Sequence, residues 1–167
     1  DFSGKHWPPN REEYYRHIES KTASLFTSST ECGSILSNAP EEEIAALKSF
    51  GHDLGMAFQI VDDILDFTAD ERELGKPVGS DLRQGTFTLP VFYYLEQDPH
   101  AANISEFLSE DMDQLVNAIR QSSAIDASKA EARHFVQTAQ DAISFFPDNE
   151  YKRVLINLSN YVVDRTL

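Results

Sequence analysis

The chain has 167 residues, of which 41% are hydrophobic, and it carries a formal net charge of −14 at pH 7. This length and apolar content suit one domain with a buried core, and we predict a single domain over residues 1–167. The acidic balance argues against a nucleic-acid partner, because phosphate backbones are bound by basic patches. It leaves open a phosphorylated substrate, since Mg²⁺ can bridge carboxylates to phosphates.

Cysteine content and hydropathy bound the setting of the protein. Cys32 is the single cysteine, so no intrachain disulfide can form, and a reduced cytoplasmic location is expected. No apolar run approaches the roughly 20 residues of a membrane span, and no signal peptide is visible. The chain starts at Asp1, without methionine, in a polar stretch over 1–10 that is typical of a loop. We therefore expect it to be part of a longer protein.

The first predicted helix covers residues 11–30. Asn10 can cap its N-terminus, and the apolar residues Ile18, Leu25 and Phe26 are expected to point inward. Lys21 and Thr22 lie in its middle, where a lysine is more often a solvated charge than a ligand. The helix is expected to continue over 31–38 and to be broken by Asn38-Ala39-Pro40.

The second predicted helix, over residues 41–67, has two chemically different sides. At 3.6 residues per turn, Gln59, Asp62, Asp63 and Asp66 fall within an arc of about 100°, and apolar residues fill the opposite side. Like charges at i,i+3 and i,i+4 weaken an isolated helix, and a bound cation would reverse that effect. Carboxylates are the ligands that Mg²⁺ prefers. A solvated acidic face is the alternative for such a pattern taken alone.

An irregular segment over residues 68–90 follows, punctuated by glycine and proline. Its charged residues Lys76, Asp81 and Arg83 suggest a mobile cover over a site, and an ordinary charged surface loop is the alternative. From Val91 onward the pattern indicates helix after helix, including one over 127–146. The expected inward residues of the last helix, which Asp148 can cap, are Tyr151, Val154, Leu155, Leu158, Tyr161 and Val162. No strand pattern emerges, so the predicted fold class is all-α.

Three segments together resemble the trans-isoprenyl diphosphate synthase (polyprenyl synthetase) family. The string Gly-Met-Ala-Phe-Gln-Ile-Val-Asp-Asp-Ile-Leu-Asp at 55–66 resembles the second aspartate-rich motif of that family. Lys-Thr-Ala-Ser-Leu-Phe at 21–26 resembles its Lys-Thr helix, and the Leu-Gly-Lys-Pro, Gly-Ser-Asp-Leu and Thr-Leu-Pro segments within 74–90 resemble its loop after the aspartates. The resemblance implies the C-terminal half of the helical bundle of isoprenoid synthases.

The resemblance also implies a reaction and its metal site. The family condenses an allylic diphosphate with isopentenyl diphosphate, head to tail, through Mg²⁺-assisted ionisation. In this sequence Asp62 and Asp66 would face a Mg²⁺ that the substrate phosphates also ligate, and Asp63 would support the same cluster. Gln59 would lie near the carbocation, and Asp81 would help to order the metal shell through water.

The diphosphate site follows from the same resemblance. Lys21, Thr22 and Lys76 would neutralise the allylic diphosphate by charge and hydrogen bonds. Many members carry a lysine where this chain has Thr86, which puts that phosphate contact in doubt here.

The first aspartate-rich motif of the family is absent, because the Asp-Asp-x-x-Asp spacing occurs once, at 62–66. We therefore expect residues 1–167 alone to be inactive and to expose apolar faces that would meet the missing half. A homodimer or pairing with that half is expected, since the family is usually homodimeric. The alternative is a non-catalytic subunit or remnant of a heteromeric synthase. A terpene cyclase fits less well, because the second motif of cyclases usually has an Asn/Asp–Ser/Thr–Glu pattern.

Overall fold

The computed structural model describes residues 10–69, 75–97 and 112–165, and these form helices without a strand. The all-α prediction is confirmed for them. The helices are α1 (Arg11–Ile18), α2 (Ser24–Leu36), α3 (Glu41–Thr68), α4 (Ser80–Arg83), α5 (Leu89–Gln97), α6 (Met112–Gln121), α7 (Ala124–Ala142) and α8 (Glu150–Asp164), with a π-helical segment, Glu19–Ala23, between α1 and α2.

The first rod of the fold is α1, the π segment and α2 in continuous succession. It begins at Asn10, whose side chain accepts a hydrogen bond from the Glu12 amide at 2.8 Å, as predicted. Lys21 and Thr22 lie inside the π segment, where the sequence predicted an ordinary helix. A π turn inserts one extra residue into a helix and re-aims the side chains beside it, and such turns are frequent at functional sites.

The central element is α3, which packs against α2 on one side and α7 on the other. Its apolar side is buried almost completely, with Ile60, Val61 and Ile64 fully inaccessible to solvent. Gly55 allows the π segment to approach α3 closely, because a Cβ at this position would lie 2.6 Å from the Ala23 Cα. The space beside this glycine is thus filled by a neighbouring backbone.

A charged cluster ties α1 to α5 and α7. The guanidinium of Arg11 donates to Glu131 at 2.6 Å and to the Tyr93 hydroxyl at 2.9 Å, and it pairs with Glu96 at 3.2 Å. Burial by itself would lower the pKa of Arg11, but hydrogen bonds with Tyr15 and Tyr93 and the charge of Glu131 raise it. The cluster fixes the orientation of α1 beside the acidic side of α3.

Two predictions about apolar faces are wrong. Leu25 was expected to point inward, and it is 67% exposed. The buried side of the last helix is not the predicted stripe, but a neighbouring side that includes Ser159. This side is buried because it meets α7 and α3. Its N-cap is Asn149, which accepts from the Lys152 amide at 2.9 Å, and not Asp148. The residues of the predicted stripe that are exposed instead are Tyr151, Val154, Leu158 and Tyr161.

Other predictions fall outside the described residues or concern membranes. The loop prediction for residues 1–9 and the helical spacing of Ile104, Phe107 and Leu108 lie outside the described residues. Within 10–69, 75–97 and 112–165, no helix combines the length and the apolar content that a bilayer span requires.

Candidate active site

The acidic side of α3 faces a cavity of about 560 Å³ between α1, the π segment and the loop that precedes α5. Four of the predicted site residues line it: Lys21, Gln59, Asp63 and Asp81. Thr86, at the position where many family members carry a lysine, also lines it and is exposed. The structure therefore brings the Lys-Thr segment, the aspartate helix and the following loop to one place.

Asp63 belongs to a chain of four hydrogen-bonded side chains. The Tyr14 hydroxyl donates to Asp63 Oδ2 at 2.8 Å, and Gln59 Nε2 donates to Asp63 Oδ1 at 3.0 Å. Thr22 Oγ1 in turn donates to Gln59 Oε1 at 2.6 Å. Asp63 is 3% exposed, and burial raises its pKa to about 7 even though the hydrogen bonds from Gln59 and Tyr14 oppose the rise. The chain links α1, the π segment and α3 across the cavity wall.

Asp66 is the most deeply buried of the three aspartates, at 1% exposure. Its Oδ2 accepts a hydrogen bond from the Asp81 amide at 3.1 Å, and its Oδ1 lies 2.6 Å from Lys76 Nζ. Oδ1 of Asp66 is thus paired with the Lys76 ammonium, whose side chain is 40% exposed. Burial alone would lower the pKa of Lys76, but Asp66 and then Asp81 outweigh it and raise that pKa.

Asp62 is the most accessible of the three, with a side chain that is 40% exposed. Its Oδ1 lies 3.3 Å from Nη2 of Arg165, whose guanidinium also lies over the Phe58 ring, 4.5 Å from the centroid. Burial raises the pKa of Asp62, and the positive charges of Arg165 and Lys21 reduce that rise.

Sequence reasoning missed two of these contacts. Tyr14 lies 49 residues before Asp63, and Arg165 lies 103 residues after Asp62. Helical periodicity relates residues within one helix and gives no signal for partners on different helices. Neither contact was therefore available from the pattern.

The donor set can be compared with what Mg²⁺ requires. Within the described part of the chain, no three His, Cys, Asp or Glu side chains converge closely enough to hold a metal ion by themselves. Mg²⁺ usually takes one or two carboxylates and completes its shell with water and substrate phosphate. Asp66, whose Oδ1 is paired with a partly exposed lysine, and the half-exposed Asp62 fit that requirement. Asp63 fits it less well, because protein donors already bind both of its oxygens.

Comparisons with known proteins identify the family of the chain. The family model described as Polyprenyl synthetase matches residues 3–124. This chain belongs to that family, and the resemblance inferred from its three motifs is confirmed.

Curated relatives and solved structures cover nearly the whole chain. Heptaprenyl diphosphate synthase component 2 from Geobacillus stearothermophilus is 40% identical over 91% of this chain and 49% of that protein. Octaprenyl diphosphate synthase from Haemophilus influenzae is 37% identical over 91% of this chain and 48% of that protein. The chain thus spans about half the length of the curated relatives it matches.

The solved structures confirm the fold. The crystal structure of heptaprenyl diphosphate synthase from Staphylococcus aureus matches with a TM-score of 0.88 and 38% identity, over 96% of this chain and 52% of that one. Polyprenyl synthase from Caulobacter crescentus, complexed with calcium and isoprenyl diphosphate, matches with a TM-score of 0.83 and 30% identity, over 96% of this chain and 51% of that one. The described helices are therefore those of the all-α isoprenyl synthase fold.

Proposed function

We propose that the intact protein is a prenyltransferase that condenses an allylic diphosphate with isopentenyl diphosphate and releases a longer polyprenyl diphosphate. One observation carries the proposal. Two lysines, Lys21 and Lys76, lie at the acidic side of α3, in a family whose named relatives are prenyl diphosphate synthases. Carboxylates and ammonium groups on one side of a helix suit a ligand that is both metal-bound and anionic.

In the proposed reaction, aspartates would bind the metal and lysines would bind the diphosphate during ionisation. Asp62 and Asp66 would hold Mg²⁺, which supplies Lewis-acid stabilisation of the departing diphosphate when bound. Lys76 would exchange Asp66 for a phosphate oxygen, and Lys21 would bind the same anion from the opposite wall. Ionisation leaves extra negative charge on the diphosphate, and fixed positive groups stabilise it more effectively than reorienting water.

The remaining predicted residues orient the site. Gln59 is held by Thr22 on one side and by its own bond to Asp63 on the other, so its amide is fixed in position. Asp63 would thereby support the cluster without being its principal ligand, and the cluster of three carboxylates around one metal stays a prediction. Asp81 lies 3.7 Å from Lys76 and would reach the metal shell through water.

Exposed apolar surface supports the proposal that this chain works with more of the bundle. Leu25, Ile35 and Leu36 on α2 are each more than half exposed, and α8 presents its own exposed stripe. Large apolar patches on a protein surface mark contacts with a partner. We propose that the other half of the fold, which carries the first aspartate-rich motif in the family, covers them, and that residues 1–167 alone are inactive. The homodimer and the cytoplasmic setting stay predictions.

A second function is favoured by one specific observation. Two similar relatives, from Geobacillus stearothermophilus and Bacillus subtilis, are each named as component 2 of a heptaprenyl diphosphate synthase. We therefore keep the alternative that the protein is one subunit of a heteromeric synthase and needs a second polypeptide for turnover.

The test is incorporation of labelled isopentenyl diphosphate by the product of the full coding sequence, with and without Mg²⁺. Changing Asp62 and Asp66 together to alanine is expected to abolish turnover. Changing the exposed pair Asp141 and Asp148 to alanine removes the same charge from the surface and is expected to leave turnover unchanged. Full activity of the first double variant would refute the proposal. Activity that appears only after a second polypeptide is added would favour the heteromeric alternative.

A further inference from the structure

The last described residue of the chain contacts the aspartate helix. Arg165 follows α8, and its Nη2 lies 3.3 Å from Asp62 Oδ1. Its guanidinium carbon lies 4.5 Å from the centroid of the Phe58 ring, and its Nε donates to the Val162 carbonyl at 3.5 Å. Phe58 and Asp62 are i,i+4 neighbours on α3, so the arginine spans one turn of that helix. The side chain is 26% exposed and is held from three directions.

We propose that Arg165 is a positioning residue that competes with the divalent cation for Asp62, so that cation binding at α3 frees the Arg165 guanidinium from that carboxylate. The inference rests on the proposed function, because it takes Asp62 as a metal ligand. Both the guanidinium and a cation would bind the carboxylate of Asp62, whose Oδ1 contacts Arg165. Arginine stays protonated in proteins, so it can leave this oxygen only by moving.

Phe58 gives the displaced guanidinium a place to remain. Arginine stacks on aromatic faces, and that contact does not depend on Asp62. A guanidinium that stays over this ring keeps its donors beside the metal-bound anion, and it can then bind phosphate through two parallel hydrogen bonds. The cation would take the carboxylate, and the arginine would take the phosphate.

Asp66 also forms an ion pair with a cationic side chain, that of Lys76, as Asp62 does with Arg165. Each of the two aspartates that suits a cation is already paired with a positive side chain of its own chain. The two cationic side chains belong to different segments of the chain, because Lys76 precedes α4 and Arg165 follows α8. Cation binding would therefore affect two distant segments of the chain at once.

The alternative is an ordinary ion pair at the protein surface without effect on the metal. Exposed pairs of this kind stabilise a protein by little, and many contribute nothing measurable. The two interpretations differ in one quantity, the affinity of the site for a cation in the absence of substrate. Competition requires that removing the arginine charge tighten cation binding, whereas a bystander pair leaves that affinity unchanged.

The experiment is a titration of the purified full-length protein with Mn²⁺, in which free Mn²⁺ is followed by electron paramagnetic resonance. Arg165→Gln is expected to lower the dissociation constant about two- to five-fold, the range that an ion pair of this exposure represents. Arg165→Lys keeps a positive charge and is expected to restore most of the wild-type value. Arg153→Gln is the matched control, because Arg153 pairs with Asp148 at 3.1 Å on the exposed side of α8.

A double variant distinguishes competition from altered folding. On an Asp62→Asn background, Arg165→Gln is expected to leave the Mn²⁺ affinity unchanged, since the shared carboxylate is gone. Unchanged or weaker binding by Arg165→Gln in the wild-type background would overturn the inference while leaving the proposed function intact, provided that Asp62→Asn weakens binding. If Asp62→Asn has no effect on Mn²⁺ affinity, the metal assignment fails and the inference fails with it.

Discussion

The raised pKa of Asp63 makes the stability of the protein depend on pH in a direction opposite to that of most carboxylates. Asp63 is 3% exposed, and burial places its pKa at about 7, compared with 3.8 for an unperturbed aspartate. Between these two values the folded state retains a proton that the unfolded state has lost. Stability contributed by this group therefore falls as pH rises from 3.8 and is fully lost above 7.

The size of the effect follows from that difference. Each pKa unit corresponds to about 1.4 kcal/mol, so the ionised carboxylate costs about 4 kcal/mol of folding free energy over the whole range. The protein has a pI near 4.6, so acidic measurements are best made no lower than pH 5.5. About 2 kcal/mol of the total falls between pH 5.5 and pH 8.

The substitution Asp63→Asn isolates this contribution to the folding free energy, because it removes the charge and keeps the shape of the side chain. Its carbonyl can accept from Tyr14 and its amide can donate to Gln59, provided that the Gln59 amide rotates and donates to Thr22 Oγ1. The variant therefore leaves every member of the hydrogen-bonded chain with a partner. We expect Asp63→Asn to be more stable than the wild type at pH 8. The difference in unfolding free energy between the variant and the wild type is expected to be about 2 kcal/mol larger at pH 8 than at pH 5.5.

The assay is urea unfolding followed by far-ultraviolet circular dichroism at both pH values, with the free energy taken from linear extrapolation. Asp141→Asn, on the exposed side of α7, is the control for the general loss of one negative charge. The reasoning is refuted if Asp63→Asn changes the unfolding free energy by the same amount at pH 5.5 and pH 8.

Three other predictions concern Tyr14, the contact at Gly55, and Lys76. Tyr14→Phe removes a donor from a buried carboxylate and is expected to cost about 1–3 kcal/mol of unfolding free energy, measured in urea; no loss would contradict the bond. Gly55→Ala is expected to destabilise by about 1–3 kcal/mol because its Cβ would meet the π segment, whereas Gly33→Ala, with open space around it, is expected to stabilise the protein slightly. Lys76→Gln is expected to raise the KM for the allylic diphosphate at least about ten-fold, the loss of one charge-assisted hydrogen bond, and an unchanged KM would contradict this role.

The central helix was predictable because its own residues determine it. The period of apolar and acidic residues predicted a helix over 41–67, and the structure has α3 at Glu41–Thr68. The same period placed Gln59 and the three aspartates on one side, and in the structure Gln59 and Asp63 of that side line the cavity. Local sequence contains this information, because a stripe on one helix requires no knowledge of what it faces.

Features that depend on a second element were not predictable in the same way. The last helix has apolar residues around more than half of its circumference, and only contact with α7 and α3 decides which of them are buried. Leu25 was misjudged for the same reason. The π segment packs closely against Gly55 of another helix, and the Arg165 pair depends on where the chain returns after α8.

The two segments that flank α3 near its acidic side are attached to it in different ways. At Gly55 the π segment touches α3 backbone against backbone, without a side chain between them that could rearrange. The segment around Lys76 meets α3 through a lysine ion pair and through hydrogen bonds from the amides of Gly79 and Asp81 to Asp66. A ligand that draws Lys76 away would break the ion pair with Asp66 and leave the contact at Gly55 in place. If the site binds diphosphate as proposed, we therefore expect ligand-induced movement at the segment around Lys76 and little movement of the π segment that carries Lys21.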